Sequence, residues 1–373
     1  MDRKDIFVIQ GTEYKAMTMK VLEAVGLAED IGDRHQRVGL KPNLVVARDA
    51  SGGATTHPEL VDGVLTYLKN NGFDNLVVLE GSWVGDRTSE AVIASGIDAV
   101  CKKHGVPFID TQKDSFQECD GAGMKLKICK QALAVDYLIN MPVLKGHCQT
   151  TITCALKNSK GLIPDTEKRR FHTMGLHKPI AHLNTIIHQD FVLVDNICGD
   201  LDFEEGGNPV VMNRVLGFKD PVLCDSYAAE GMGYHPEDIE YIRLAADLGV
   251  GSMDTALAQV ISLNNEVDEN GENVRPAEPQ MTKRTRRVTR LAEYASPKDA
   301  CSACYGSLIY ALDRLDEEGR LDSKKIGTLA IGQGYRGKTG EIGIGQCTAC
   351  FKKHLGGCPP KAVDIVRFLR EKW

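Results

Sequence analysis

The sequence predicts an α/β fold, a mostly parallel sheet with helices on both faces, followed by a small C-terminal α/β unit. Three observations point there. Short Val/Leu/Ile-rich runs alternate with longer stretches whose apolar residues recur at helical spacing through about residue 260. Most of the short runs end in Gly, Pro, Asn or Asp, where strands surface. The texture then changes at residue 264 and ordered patterning resumes near 291, which divides the chain into 1–263, a linker or excursion at 264–290, and 291–373.

Taken in order, the candidate strands of the large part are 37–40, 76–79, 137–141, 191–194 and 222–224. Between them, HPELVDGVLTYLKNNG (57–72) carries apolar residues at helical spacing and puts Gly72 where a helix commonly ends in a left-handed residue. SEAVIASGIDAVCKKHG (89–105) runs helical to Gly105. The stretch 264–287 is poor in apolar residues, contains two prolines and switches from acidic to basic. Its Lys283, Arg284, Arg286 and Arg287 read as a solvated surface run. Beyond it, SLIYALDRLDEEG (307–319) is an amphipathic helix, KIGTLAIG (325–332) a strand and KAVDIVRFLREKW (361–373) a terminal helix.

Bulk composition narrows the function. At 373 residues, with 42% hydrophobic and 26% charged residues, the chain can bury a sizeable core. A net charge of −6 argues against nucleic acid as a partner. No apolar run approaches the ~20 residues of a membrane span, and MDRKDIFVIQG lacks the apolar region of a signal peptide. A cytoplasmic location is expected, where the 12 cysteines are for metal binding or burial rather than a disulfide framework.

Five of those cysteines lie in the last part: CSAC at 301–304 and GQCTACFKKHLGGCPP at 345–360. Tetrahedral zinc or iron sites take four ligands. Cys301, Cys304, Cys347 and Cys350 would make two CxxC pairs, but zinc ribbons separate their pairs by ~15–20 residues and here a helix and strand intervene. Exchanging Cys350 for Cys358 gives CxxC, then GxC, then GCPP. That order resembles the proximal-cluster domain of hydrogenase small subunits and the related subunit of respiratory complex I. The resemblance covers about the last 75 residues, with a compressed spacing between the pairs. It implies a [4Fe–4S] cluster held by Cys301, Cys304, Cys347 and Cys358, leaving Cys350 spare. Glycines at 345, 356 and 357 let backbone N–H groups approach thiolates closely, and Pro359 and Pro360 stiffen the exit to the last helix.

GQGYRGKT (332–339) matches both a P-loop and a dinucleotide pattern. A P-loop needs a helix straight after its Lys and Thr, and the following GEIGIGQC opposes one. Nucleotide binding is not expected; a Gly-rich loop enclosing the cluster is.

In open parallel sheets ligands sit beyond the carboxyl ends of the strands. Read in order, those ends offer Lys41 and Asn43, Glu80, Lys145 and His147, Asp195, and Asp225. The segment LKGHCQTTITCALKNSKGLIPDTEKRRFH (144–172) adds Lys157, Asn158, Lys160, Arg169, Arg170 and His172, a density of donors suited to a carboxylate or phosphate. Cys148 and Cys154, near His147, read as buried structural thiols. His147 and Lys145 are the candidates for proton transfer and anion binding. Lys41, Asn43, Glu80, Lys157, Asn158, Arg170, His172 and Asp195 are candidates for contacting substrate.

KPNLV, the TTHPEL start of a helix and MPVLKGHCQTTITCALKNSKG resemble the domain-of-unknown-function 362 family over about residues 37–255. That resemblance implies a prokaryotic protein of a group often carrying iron–sulfur cysteines, although this chain lacks the ferredoxin run C-x2-C-x2-C-x3-C-P. The expected function is an iron–sulfur oxidoreductase of an anaerobic-type cytoplasm, acting on a small anionic substrate with a redox partner protein. The alternatives are a non-catalytic electron carrier or maturation partner, and a zinc-stabilised hydrolase or isomerase.

Overall fold

In the computed structural model, the described residues are 1–147, 149–201, 204, 206, 209–264, 288 and 290–373. Cys148 and the basic run at 283–287 lie outside them. The chain divides into two compact units, Met1–Arg169 with Leu176–Gln280, and Arg170–Gly175 with Met281–Trp373.

The first unit is built on an eight-stranded sheet. From one edge the order is Gln259–Ser262, Asp5–Gln10, Pro209–Phe218, Phe191–Asp200, Tyr137–Met141, Val38–Pro42, Leu76–Glu80 and Phe108–Asp110. Pro209–Phe218 alone runs against its neighbours, pairing antiparallel with both Asp5–Gln10 and Phe191–Asp200, so the sheet is mostly parallel. Alternate residues supply one core face: Phe7 and Ile9, Val38 and Leu40, Ile139 and Met141, Leu193, Val215. Onto this face pack Val21 and Leu22 of helix Tyr14–Ala24 and Leu60, Val61, Val64 and Leu68 of helix Pro58–Asn70. Each such side chain contributes about 1.5–3 kcal/mol by leaving water. The intervening residues Ile6, Val8, Leu79, Leu138 and Val194 are buried too, so both faces are covered.

Three expectations are corrected. The apolar run 222–224 is not a strand: it opens the helix Pro221–Gly231, because the Asp220 side chain accepts the Val222 and Leu223 N–H groups and Pro221 fits the first turn. The stretch 89–105 is two helices, Thr88–Ala94 and Ile97–His104, because Gly96 adopts a left-handed φ of +80° between them. Strand Phe191–Asp200 also runs six residues past the anticipated end at 194, paired along its length with Pro209–Phe218.

The second unit carries a four-stranded parallel sheet, ordered Ala295–Pro297, Leu329–Ile331, Ile342–Ile344 and Lys353–Leu355. Helices Ser302–Glu317 and Ala362–Lys372 contact each other and bury Leu308, Ile309, Leu312, Ile365 and Leu369. Tyr335 and Phe351 meet edge to face, 5.5 Å between centroids. After Lys338 and Thr339 the chain reaches the strand Ile342–Ile344, without the helix a P-loop requires. Among the described residues no helix is long and apolar enough to cross a membrane.

Candidate functional site

The strands Val38–Pro42, Leu76–Glu80 and Tyr137–Met141 are parallel neighbours, so their carboxyl ends share one edge of the sheet. Lys41 and Asn140 are register partners there. Asn158, at the end of the short helix Ala155–Asn158, joins them. Its Oδ1 accepts from Lys41 Nζ (3.1 Å) and Asn43 Nδ2 (2.8 Å), and its Nδ2 donates to Asn140 Oδ1 (2.7 Å). That helix is positioned by Asp225, whose carboxylate accepts from Ala155 N (2.7 Å) and the Tyr241 hydroxyl (2.9 Å). Burial pushes the Asp225 carboxyl up to about 7, against those hydrogen bonds.

Two carboxylates hold the lysines. Glu80 forms a buried ion pair with Lys41, whose Nζ also donates to the Pro42 carbonyl at 2.8 Å. Glu204 pairs with Lys157 through one oxygen and lies 3.1 Å from His147 Nε2 through the other. Lys145 Nζ donates to Asn43 Oδ1 (3.0 Å), Ala54 O (2.6 Å) and Glu204 O (3.0 Å). His147 Nδ1 accepts from the backbone N–H groups of Gln149 and Thr150, which leaves Nε2 as the proton-bearing nitrogen facing Glu204. Burial and then the Lys157 charge lower His147 to about 4 against the pull of Glu204, so its ring is neutral at pH 7. Burial raises Glu204, but Lys157 and His147 outweigh it and hold the carboxyl well below its ordinary range. Lys160, half-buried beside this group, is lowered to about 7 by burial and by the charge of Lys157.

The structure thus brings together Lys41, Asn43, Glu80, Lys145, His147, Lys157 and Asn158. It does not add Asp195, whose carboxylate is bound to His57 instead. Arg170, exposed, and His172, half-buried, belong to residues that group with the second unit. Sequence reasoning missed Glu204 and Asn140, and gave Lys160 no particular role. Glu204 lies in the acid-rich sequence GDLDFEEGGNP, and that clustering of acids is the available signal.

In the second unit the thiols of Cys301, Cys304, Cys347 and Cys358 act on one another. Cys304 is raised first by its hydrogen bond with Cys301, then by burial and by the charges of Cys301, Cys358 and Cys347. Cys301, at the start of helix Ser302–Glu317, is lowered first by that same hydrogen bond and then by the Gln333 amide, 3.3 Å from its sulfur, and the Arg336 charge, against burial. Arg336 hydrogen-bonds Cys347 and feels Cys301 and Cys358. Cys350 and Cys358 are both exposed, while Cys301, Cys304 and Cys347 are half-buried.

This donor set can be tested against a cofactor by its spacing. A single zinc with Zn–S bonds of about 2.3 Å holds its thiolates roughly 4 Å apart. Among the described residues no three of these thiols lie within 4.8 Å of one another. Cys301 and Cys304 are close enough to hydrogen-bond, Gln333 and Arg336 supply donors beside the set, and four thiols of this kind are the ligand chemistry of zinc and iron–sulfur sites alike. The tighter group Cys154, Cys224 and Asp225 is buried, with 3.7 Å between the sulfurs, but its carboxylate is already engaged by backbone and Tyr241 donors.

Fold and site together define an α/β protein with a buried Lys/Asn/Glu/His network at the carboxyl edge of a mostly parallel sheet. The chain belongs to the family described as domain of unknown function DUF362, whose pattern matches residues 38–230. A thylakoid-associated protein of Synechocystis is 25% identical over 179 residues, which is 45% of this chain and 54% of that protein. The chain therefore spans about half the length of the curated relative it matches. Among solved structures, the lactate racemase apoprotein of Thermoanaerobacterium thermosaccharolyticum matches with a TM-score of 0.41 and 13% identity over 58% of this chain and 54% of that one. A Thermotoga maritima protein matches with a TM-score of 0.38 and 15% identity, over 64% and 60%.

Proposed function

We propose that this protein is an iron–sulfur redox enzyme: Cys301, Cys304, Cys347 and Cys358 hold a [4Fe–4S] cluster, and the first unit binds a small anionic substrate. The observation that supports the reading is the mutual influence of those four thiols, with Gln333 and Arg336 beside them. Such a cluster supplies or accepts single electrons, which a redox partner protein would deliver or remove.

The first unit's residues divide the remaining work. Lys41 pairs with Glu80, Lys157 pairs with Glu204, and Lys160 lies beside Lys157, a concentration of cations at one strand edge that favours an anion. Asn43 and Asn158 hold the lysines in register. His147 is a neutral donor through Nε2 rather than an acid, because its Nδ1 is already an acceptor. Proton exchange falls to Lys160, which burial tunes to about 7 while it keeps an opening to water.

The test is anaerobic purification with metal analysis. Brown protein with about four iron and four sulfide per chain, and a paramagnetic signal on reduction, is the expected result. Colourless protein with one zinc per chain would overturn the reading.

A further inference from the structure

A second chemical group lies outside the lysine network and is independent of the proposed function. Asp195 Oδ2 accepts from the His57 backbone N–H at 2.7 Å and lies 2.8 Å from His57 Nδ1, while Oδ1 accepts from Ile197 N at 3.1 Å. On the other side of the ring, His57 Nε2 is 3.8 Å from Cys198 Sγ. Thiol, imidazole and carboxylate are 5%, 8% and 0% exposed. This is the order of nucleophile, base and orienting acid that activates a cysteine.

The sequence spacing alone opposes this arrangement. Residues 195 and 198 of a regular strand point to opposite faces. The pairing of Phe191–Asp200 with Pro209–Phe218 shifts register between Asn196 and Cys198, and that irregularity turns Cys198 to the side where Asp195 meets His57. His57 is fixed in turn by standing directly before Pro58 at the start of its helix.

We propose that Cys198 is a modification site, a thiol that reacts with small hydroperoxides. The surroundings select that class of electrophile. Cys198 faces the carbonyl oxygens of Ala50 (3.5 Å) and Ser51 (3.7 Å), which are acceptors and would repel the oxyanion of an acyl-transfer reaction. A sulfenic acid O–H, by contrast, can donate to them. The near-complete burial admits only a small reagent.

The step is balanced as follows. His57, already an imidazolium beside Asp195, holds Cys198 as a thiolate whose proton has left to solvent. The sulfur attacks one peroxide oxygen; an S–O bond forms and the O–O bond breaks. The departing hydroxide takes the Nε2 proton and leaves as water. Sulfur is oxidised by two electrons to the sulfenic acid and the peroxide is reduced. His57 suits this role at neutral pH, since Asp195 and Cys198 outweigh burial and lift it to about 10. Among the described residues, Tyr14 stands edge-on to the His57 ring at 5.7 Å with Glu59 acting on it in turn, and Asp49 acts on His57.

The test is hydrogen peroxide treatment of the whole protein with dimedone present, followed by mass-spectrometric occupancy of each cysteine. Cys101, buried and raised to about 11, is the internal control. Cys198 should label at least about tenfold faster than Cys101, with a rate nearly constant from about pH 6 to 8. His57→Gln should slow Cys198 about tenfold or more and leave Cys101 unchanged. Cys198 labelling no faster than Cys101, or a wild-type rate falling about tenfold per pH unit below 8, overturns the proposal. The wild-type pH profile decides even if the His57 variant fails to fold.

Discussion

Lys41 and Glu80 form an ion pair with both side chains almost completely buried, 1% and 4% exposed. Burial, the larger effect, leaves the lysine lowered and the carboxyl raised, and the attraction of each for the other is the chief force opposing that loss of charge. Glu80→Gln should therefore leave an uncompensated buried ammonium and cost about 3–5 kcal/mol in a urea unfolding experiment. Adding Lys41→Met should recover much of that loss. A single variant within about 1 kcal/mol of wild type would mean that water or another acid takes over the charge.

Gly161 shows how closely this pair is enclosed. A Cβ at that position would overlap both Glu80 Oε1 and Lys41 Cε, and its carbonyl is already fixed by the Thr111 hydroxyl at 2.6 Å. Gly161→Ala should cost about 1–3 kcal/mol through forced displacement of the pair. The same change at Gly175, where a Cβ meets nothing within 4 Å but φ is +80°, should cost only the backbone strain of about 1 kcal/mol. Comparing the two thermal melts separates crowding from conformation.

The sheet was legible where strands were short, apolar and bounded. The run 137–141 was read with the ends the structure gives it, and helix Pro58–Asn70 was anticipated from its spacing. Polar residues misled where they stay inside a strand: Phe191–Asp200 looked finished at Asp195 because a buried Asp, Asn and Asp had no visible partners in sequence. The partners are remote, His57 for Asp195, and distance along the chain hides them. Lys41, Asn43 and Lys145 are readable from strand-end positions and Lys157 and Asn158 from the donor-rich segment 144–172, whereas Glu204 is hidden for the same reason as His57, its partners lying 47 and 57 residues upstream at Lys157 and His147.

The cysteine assignment separates Cys350 from its neighbours. Under the proposed assignment, serine at Cys301, Cys304, Cys347 or Cys358 should abolish or strongly deplete iron in the purified protein, since these four thiols influence one another. Cys350→Ser should keep iron and sulfide near wild-type content. Iron retained in Cys358→Ser and lost in Cys350→Ser would make the site two CxxC pairs.

Lys160 should titrate near neutrality. Competitive acetylation with acetic anhydride, read residue by residue, should give it an apparent pKa of about 7, since burial and Lys157 disfavour its charge. Lys102, an exposed lysine paired with Asp98, is the comparison residue in the same digest. If the anion site includes Lys160, affinity for a small dicarboxylate should fall as pH rises through about 7, because the binding form is the protonated one. A Lys160 that follows Lys102 across the whole range would remove it from proton exchange.

The His57–Asp195 pair makes stability depend on pH in a defined direction. His57 is raised to about 10 in the folded protein, with Asp195 overcoming burial, against about 6.5 in the unfolded chain. Between those values the folded state holds one proton more than the unfolded state, so stability falls as pH rises. The contribution of the pair is complete below about pH 6.5 and is lost as pH passes through about 10. His57→Gln keeps a hydrogen-bonding side chain but cannot carry the charge. Its urea midpoint should lie furthest below wild type near pH 6, and the gap should narrow steadily toward pH 10.5. A gap that stays constant over that range would mean that Asp195 meets a neutral imidazole, and that the buried carboxylate is held by the His57 and Ile197 backbone N–H groups instead.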